Sequence, residues 1–423
     1  MAQFTKKRRV ELSEYDEVMT MDQFPDAVMT KIFSNLASVE KIRLSRVCKQ
    51  WNTVAHQPWK NADFLSFYGL ESRRNPLVDD HINKRIVLKT TNPKIYRKVL
   101  SLCGDNIIFL SLSDKIDIFN ASILTSIAEY CQNLTHLRIN HIYDPYNAGL
   151  NQLLCVNKNL ELFTISDFND YNRLARCLRH LPTQTLRELK IRSSEKQLNI
   201  EPYIQSLNTL LHKTSLTSLN IDCGDDKTIK TISEHKDIKF LSLRRFSSES
   251  DIDFSHISKL CNLIHVDFSY CRNYVNDNVI ECIVKNAKNI KILDLNECNQ
   301  ITMIGLSAIC TMTKLKKLQL AGVEAVDNYV LDMIPSSVTT LGLALTSIND
   351  DGVQSFIMRH DNLIDLDIRD CAITNDTLQA AVDATKYRTN NKVLLIAYTF
   401  NPVYDSSPFK GESPLLKLVS TIG

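Results

Sequence analysis

The 423-residue sequence predicts an α/β solenoid, with parallel strands on the concave side and helices on the convex side, preceded by a small all-α helical module. Three observations carry this prediction. An apolar pattern with anchors at its first, fourth and sixth positions recurs from Ile107 to Tyr398, at steps of 22 to 30 residues. Turn residues and then a helical stretch follow most copies, and no single unit of this kind can bury its own apolar face. Residues 21–64 carry broad apolar stripes at helical spacing, more apolar surface than ~45 residues can bury alone.

Taken in order, residues 1–20 read as a flexible leader. It is basic at Lys6, Lys7, Arg8 and Arg9, then acidic at Glu11, Glu14, Asp16 and Glu17. The basic run fits either a nuclear localisation patch or a solvated arm. A secretory signal would need an apolar stretch where this leader turns acidic. No run approaches the ~20 apolar residues of a membrane helix. Nucleus and/or cytoplasm is the expected location, with cysteines reduced. The balance of 50 Lys+Arg against 48 Asp+Glu gives no global case for nucleic acid or an anionic membrane.

Residues 21–64 predict helices. Pro25 suits a first turn, where its missing N–H costs nothing. Val28, Met29, Ile32, Phe33 and Leu36 form one wide stripe. Asn35 and Ser38 flank a break, after which Leu44, Val47, Cys48 and Trp51 recur at i, i+3, i+4 and i+7. Part of this surface should dock on the solenoid or on another chain.

Residues 65–104 read as a connector with irregular repeats, and 105–400 as the regular array. The end of each pattern alternates with period 2, which predicts a short strand with one buried face. After it, 275–287 and 374–384 have helical periodicity, with Asn375 or Asp376 placed to cap the second. Cys271, Cys298 and Cys371 each fall eight residues after a first anchor, a slot also held by Ile142 and Val323. That slot predicts burial. The 12 cysteines contain no CxxC, and no His/Cys spacing fits a metal site. No two of the 10 glycines lie closer than ten positions, which excludes GxGxxG and Walker loops. No metal, cofactor or catalytic nucleophile is expected.

The stretches NLIHVDFSYC, NIKILDLNEC and NLIDLDIRDC closely resemble the cysteine-containing class of leucine-rich repeats. The segment FPDAVMTKIFSNL…LSRVCKQWNTVA…PWK resembles an F-box, with Phe24 where Leu is commoner. Together they resemble the F-box/leucine-rich-repeat family. The resemblance implies a non-catalytic substrate receptor of Skp–cullin–F-box ubiquitin ligases. It would bind the Skp-type cullin adaptor, and through it the cullin scaffold. By that resemblance Phe24, Pro25, Val28, Ile32, Phe33 and Leu36 line the adaptor contact, and Trp51 is part core, part interface. A scaffold that binds proteins without degrading them is the alternative.

Strand positions between the anchors should face the concavity. These include Arg138, Lys190, Arg192 and Arg244 early, and Asp267, Asp294, Asp365 and Asp367 later. Between the basic and the acidic repeats, Ala321, Gly342 and Ala344 are expected to leave a flat patch. The expectation is a bipolar groove for protein substrates, with an acidic or phosphorylated element on the basic side. Against it stands the default that solvent-facing strand positions are simply polar. Residues 401–423 read as a tail that has lost the repeat, either free or folded back through Phe400, Tyr404 and Phe409.

Overall fold

The computed structural model describes residues 23–36, 38–60, 62–67, 85–88, 93–112, 121–140, 148–168, 170–193, 200–246, 252–386, 388–400, 409, 411 and 413–422. The leader with Lys6–Arg9 lies outside them, as do Ile142 and Tyr404.

The N-terminal module has three helices: α1 (Asp26–Ser34), α2 (Ser38–Leu44) and α3 (Lys49–Lys60). Pro25 sits at the N-cap of α1, and its carbonyl accepts from the N–H groups of Val28 and Met29 at 2.9 and 3.1 Å. At the other end of α1, the Lys41 ammonium donates to the Ser34 carbonyl at 3.0 Å, a cation at the negative end of a helix. Burial holds the Lys41 pKa below its ordinary value. The second apolar stripe is not one helix. Arg46 and Val47 close α2 with tight bonds to the Arg43 and Leu44 carbonyls, at 3.2 and 3.1 Å. The chain then restarts at α3, where Cys48 Sγ accepts from the Trp51 N–H at 3.4 Å. Val47 and Cys48 therefore lie in a turn, exposed.

Among the described residues, fifteen strands form one continuous sheet. They are β1 (Phe64–Phe67), β2 (Arg85–Leu88), β3 (Phe109–Leu112), β4 (His136–Asn140), β5 (Leu162–Phe168), β6 (Glu188–Ser193), β7 (Ser218–Asn220) and β8 (Phe240–Ser242). The series continues with β9 (His265–Asp267), β10 (Ile292–Asp294), β11 (Lys317–Gln319), β12 (Thr340–Gly342), β13 (Asp365–Asp367), β14 (Leu394–Phe400) and β15 (Leu416–Ile422). Every neighbouring pair is parallel, in the order β2-β1-β3 and then sequentially to β15. The sheet outruns the repeat spacing at both ends. β1 and β2 lie inside the segment read as a connector. β15 lies in the segment read as a tail, and pairs with β14 over seven residues. The strands FLSF and LKLVSTI lack the full spaced pattern, so periodicity alone does not reveal them.

Helices return the chain between most strands, from α4 (Pro93–Cys103) through α10 (Asp277–Asn286), α11 (Met303–Cys310) and α13 (Asp350–Arg359) to α14 (Asn375–Lys386). Between β8 and β9 the described residues form a 3-10 turn, Phe254–Lys259. Parallel strands sit about 4.8 Å apart, whereas packed helices need about 8–10 Å. Stacking both therefore bends the array with its strands inside. The second residue of β4 and of each strand from β6 to β13 faces the helices: Leu137, Leu189, Leu219, Leu241, Val266, Leu293, Leu318, Leu341 and Leu366 are all buried.

The repeats are stitched by polar groups as well as by apolar contact. Cys271, Cys298 and Cys371 donate Sγ–H to the Leu243, Phe268 and Leu343 carbonyls of the preceding repeat, at 2.9, 3.1 and 3.1 Å. Cys271 and Cys298 are fully buried and Cys371 half-buried, and burial pushes the Cys271 thiol up to about 12. Thr374, the residue before α14, caps it by accepting from the Asp376 N–H at 3.2 Å, in place of the expected Asn375 or Asp376.

Asp277 reaches from α10 to the next helix. It accepts from Thr302 N–H at 2.8 Å, Thr302 O–H at 2.6 Å and Gly305 N–H at 3.0 Å. A Cβ on Gly305 would stand 2.5 Å from Asp277 Oδ1 and 3.0 Å from Ile301 Cγ2, so this close approach needs glycine. In Gly305→Ala, a charge-assisted bond of about 1.5–3 kcal/mol is set against a helix-propensity gain of about 1 kcal/mol. The expected result is a net loss of about 1 kcal/mol, read as a lower midpoint in circular-dichroism melting.

Candidate functional site

Two surfaces hold the residues singled out from the sequence. In the helical module, Met29, Phe33, Val54 and Ala55 form a small core of their own. Phe24, Leu36, Leu44 and Trp51 pack around it, half-buried, and Trp51 meets Phe33 edge-on at 5.4 Å. Phe33 is only 1% exposed, so it is not part of a contact surface as expected. With α3 laid across α1, the Phe33 face of the stripe is consumed internally. Val28 and Ile32, one turn apart, remain 43% and 39% exposed on α1, with Pro25 exposed before them. Val47, in the α2–α3 turn, is 60% exposed. The sequence stripe grouped all these residues; helix packing sorts them into an interior and an outer edge.

The second surface is the helix-free side of the sheet. Strand register aligns its side chains in rows. One row runs Ser111, Arg138, Thr164, Lys190, Asn220, Ser242, Asp267, Asp294, Gln319, Gly342 and Asp367. Two residues earlier, a parallel row runs Phe64, Phe109, His136, Leu162, Glu188, Ser218, Phe240, His265, Ile292, Lys317, Thr340 and Asp365. Six of the eight groove residues therefore lie in these rows. Arg192 and Arg244 lie two residues beyond β6 position 190 and β8 position 242.

The basic half divides into engaged and open groups. The Lys190 ammonium stands 3.8 Å from Glu188, and Arg192 donates to Asn220 Oδ1 at 2.9 Å. The Arg138 guanidinium lies 5.1 Å from the Phe109 ring centroid, in a stack where Phe64, Phe109 and His136 follow one another at 4.6 and 5.4 Å. Arg244 lies 5.4 Å from the Tyr270 centroid.

The acidic half divides likewise. Asp267 accepts from Ser242 O–H at 2.9 Å and from Ser269 O–H and N–H at 2.6 and 3.1 Å. Asp367 holds Arg369 through two bonds at 2.8 and 2.6 Å, which neutralises it. Burial raises the Asp294 carboxyl to about 6; the Asn296 N–H opposes this, and neighbouring Asp267 adds to it. Burial also raises Asp365. His265, on β9, is lowered by burial, with Lys317 and Lys190 contributing and Asp267 opposing. The later strands also carry Lys317, Arg369 and Lys417, so the division is a basic flank, an acidic middle and a mixed end. The expected flat patch is closed. A Cβ on Gly342 would lie 2.3 Å from Gln319 Oε1, so the Gln319 side chain already covers that position, and Ala344 is buried.

Sequence reading missed a third set. Three residues past each of β8 to β13 stand Arg245, Tyr270, Glu297, Gly322, Leu345 and Asp370, all with φ between 56° and 65°. Five of the six are not glycine. In this left-handed turn, the N–H groups of Arg245, Tyr270, Glu297, Gly322 and Leu345 donate to carbonyls of the next repeat, at 2.7 to 2.9 Å. The turn therefore belongs to the repeat, and its side chains line one rim of the concave face. The signal was available as a fixed offset from the anchors, but the residue types there do not announce positive φ.

Among the described residues, no group of three or more His, Cys, Asp or Glu could hold a metal ion. Among the same residues, no helix is long and apolar enough to cross a membrane.

Residues 21–65 match the family described as F-box-like. A Caenorhabditis elegans protein, EEED8.10, which carries the provisional name of an RNA-binding protein, is 22% identical over 404 residues. That match takes in 87% of this chain, and the chain spans about half (53%) of the relative's length. Among solved structures, a chain of the yeast Rad7–Elc1 complex superposes with a TM-score of 0.54 at 16% identity, over 93% of this chain and 92% of that one. A leucine-rich-repeat protein of Leptospira interrogans gives a TM-score of 0.45 at 16% identity, over 93% of this chain and 98% of that one.

Proposed function

We propose that this chain, an F-box-like module joined to a leucine-rich-repeat solenoid, is the substrate-recognition subunit of an SCF-type E3 ubiquitin ligase. The module binds the Skp-type adaptor, and through it the cullin scaffold. The concave sheet face binds protein targets for ubiquitin-dependent degradation, in the nucleus and/or cytoplasm. The chain supplies no catalytic group. Holding a target near the transferring enzyme contributes by proximity and orientation.

The observation that carries the reading is the module itself: an F-box-like match whose buried frame leaves Val28 and Ile32 exposed side by side on α1. Two β-branched side chains on an outer helical face fit a groove on a partner. The solved chain of similar fold is itself in a two-protein complex, Rad7 with Elc1. The RNA-binding name of the C. elegans relative is a weaker guide. A nucleic-acid backbone would run along a sheet face carrying Asp267, Asp294 and Asp365, which repel phosphate.

The test is Val28→Asp with Ile32→Asp in the full chain. Capture of the Skp-type adaptor should fall at least ~30-fold, as for loss of a strong interface hot spot. The melting midpoint should hold, because both side chains are exposed. Unchanged capture by this variant defeats the ligase reading and leaves a non-degradative scaffold.

A further inference from the structure

Successive residues of an extended strand point to opposite faces. Arg244 and Arg245 follow β8, and the left-handed turn at Arg245 (φ 57°) breaks that alternation. Both guanidinium groups converge on the ring of Tyr270, at 5.4 and 5.1 Å from its centroid. Tyr270 is itself in the left-handed region (φ 64°), with its N–H fixed to the Asn296 carbonyl at 2.7 Å. All three residues are exposed. Neither guanidinium lies within ion-pair distance of a carboxylate among the described residues, although Asp294 attracts Arg244 at longer range. Asp267, on the neighbouring strand, has its oxygens engaged by Ser242 and Ser269. By contrast Arg272 pairs with Glu297, and Arg369 with Asp367. The ring holds each cation by its face and leaves its N–H edges free.

We propose that Arg244, Arg245 and Tyr270 form a clamp for a phosphorylated side chain of the protein substrate. This rests on the reading of the concave face as the substrate side. Charge selects phosphate over carboxylate. Two guanidinium forks present about ten N–H donors and two positive charges, matching a phosphoryl group of roughly −1.5 to −2 with three acceptor oxygens. One carboxylate is satisfied by a single fork. The surroundings select an isolated phosphate over an acidic run or a polyanion. Asp267 and Asp294 stand on the two adjoining strands and repel further negative charge, while accommodating a basic residue beside the phosphate. Because the Tyr270 ring and the backbone hold the cations in advance, little side-chain freedom is lost on binding.

The test passes a degenerate phosphoserine/phosphothreonine peptide library, its dephosphorylated twin and a single-stranded RNA pool over the immobilised full chain. The phosphorylated library should be retained at least ~10-fold better than its twin, the gain of one strong charge-assisted contact. Arg244→Gln with Arg245→Gln should abolish that preference without moving the melting midpoint. The Arg→Lys pair should restore only part of it, because Lys keeps the charge but loses the fork. Equal retention of the two peptide libraries, a preference that survives the Gln pair, or retention of RNA in place of phosphopeptide would each overturn the proposal. Adaptor capture measured on the same variants stays intact if only the clamp is wrong, which separates its failure from that of the ligase reading.

Discussion

Replacing Trp59 with Ala should lower the unfolding free energy by about 3–5 kcal/mol, the range for emptying a large aromatic site in a core. Trp59 lies at the end of α3 and is 1% exposed. It belongs to the continuous core of the solenoid, with Ala62, Leu65, Tyr96 and Val99, and not to the small core of the helical module. His56 stacks on it at 5.5 Å. Among the described residues its indole N–H has no hydrogen-bond partner, so the side chain acts through apolar packing, and removal of that unsatisfied donor places the loss toward the lower end of the range. The expected phenotype is specific. The module loses its anchor on α4, and a protease should cut between α3 and β1 faster than in the parent chain. The chain's 2 tryptophans are Trp51 and Trp59, both on α3, so indole fluorescence of the parent reports the module and its junction with the solenoid, while circular dichroism reports mainly the solenoid. The two urea transitions should coincide in the parent and separate in Trp59→Ala, where Trp51 alone reports the module. Coincident, unshifted transitions would mean that Trp59 does not couple the two parts.

Phe254→Ala should cost a similar ~3–5 kcal/mol, but at a different place. The described residues between β8 and β9 form a 3-10 turn where the neighbouring units have helices. Aromatic rings pack together there. Phe254, 1% exposed, meets Phe246 at 5.5 Å, Phe268 at 5.6 Å and Tyr274 at 5.4 Å. Removing the central ring leaves a cavity that the other three close only in part. In a stacked array each unit touches mainly its neighbours, so damage should stay local before it spreads. Hydrogen exchange should show Leu241, Leu243 and Val266 losing protection before Leu341 or Leu366. Phe254→Leu, which keeps most of the volume, should recover over half of the loss. A uniform fall in protection along the whole sheet would contradict this unit-by-unit picture. The same change should weaken the neighbouring Arg244–Tyr270 clamp, whose two turns flank this aromatic cluster.

Much of the fold was legible because its signals are local and repeated. The alternation in Leu293–Leu295 or Leu366–Ile368 needs only the strand period, and repetition supplies the stacking. The cysteine slot was readable for the same reason: a small buried group at a fixed offset, whose Sγ–H then finds the preceding repeat's carbonyl. Less was legible where a residue's role depends on what packs on it. Phe33 and Ile32 are adjacent in one apolar stripe, yet α3 buries the first and leaves the second at the surface. Val47 and Cys48 continued a helical period that tight bonds to Arg43 and Leu44 interrupt. Arg138, Lys190, Arg192 and Arg244 looked equivalent by position. Glu188, Asn220, Phe109 and Tyr270 make them different.

Composition and period by themselves determined a one-dimensional stack of strand–helix units with a helical module before it, and excluded nucleotide loops. Those conclusions follow from chain-local physics: the periods 2 and 3.6, the steric freedom of glycine, and the need of each unit for a neighbour. Tertiary structure alone decided where the sheet begins and ends, which face of the module stays open, and which groove charges remain unpaired. These depend largely on contacts between residues distant in sequence, such as Phe33 with Trp51 and Arg245 with Tyr270. Helix packing and cross-strand register bring such residues together, and no local pattern encodes the pairing.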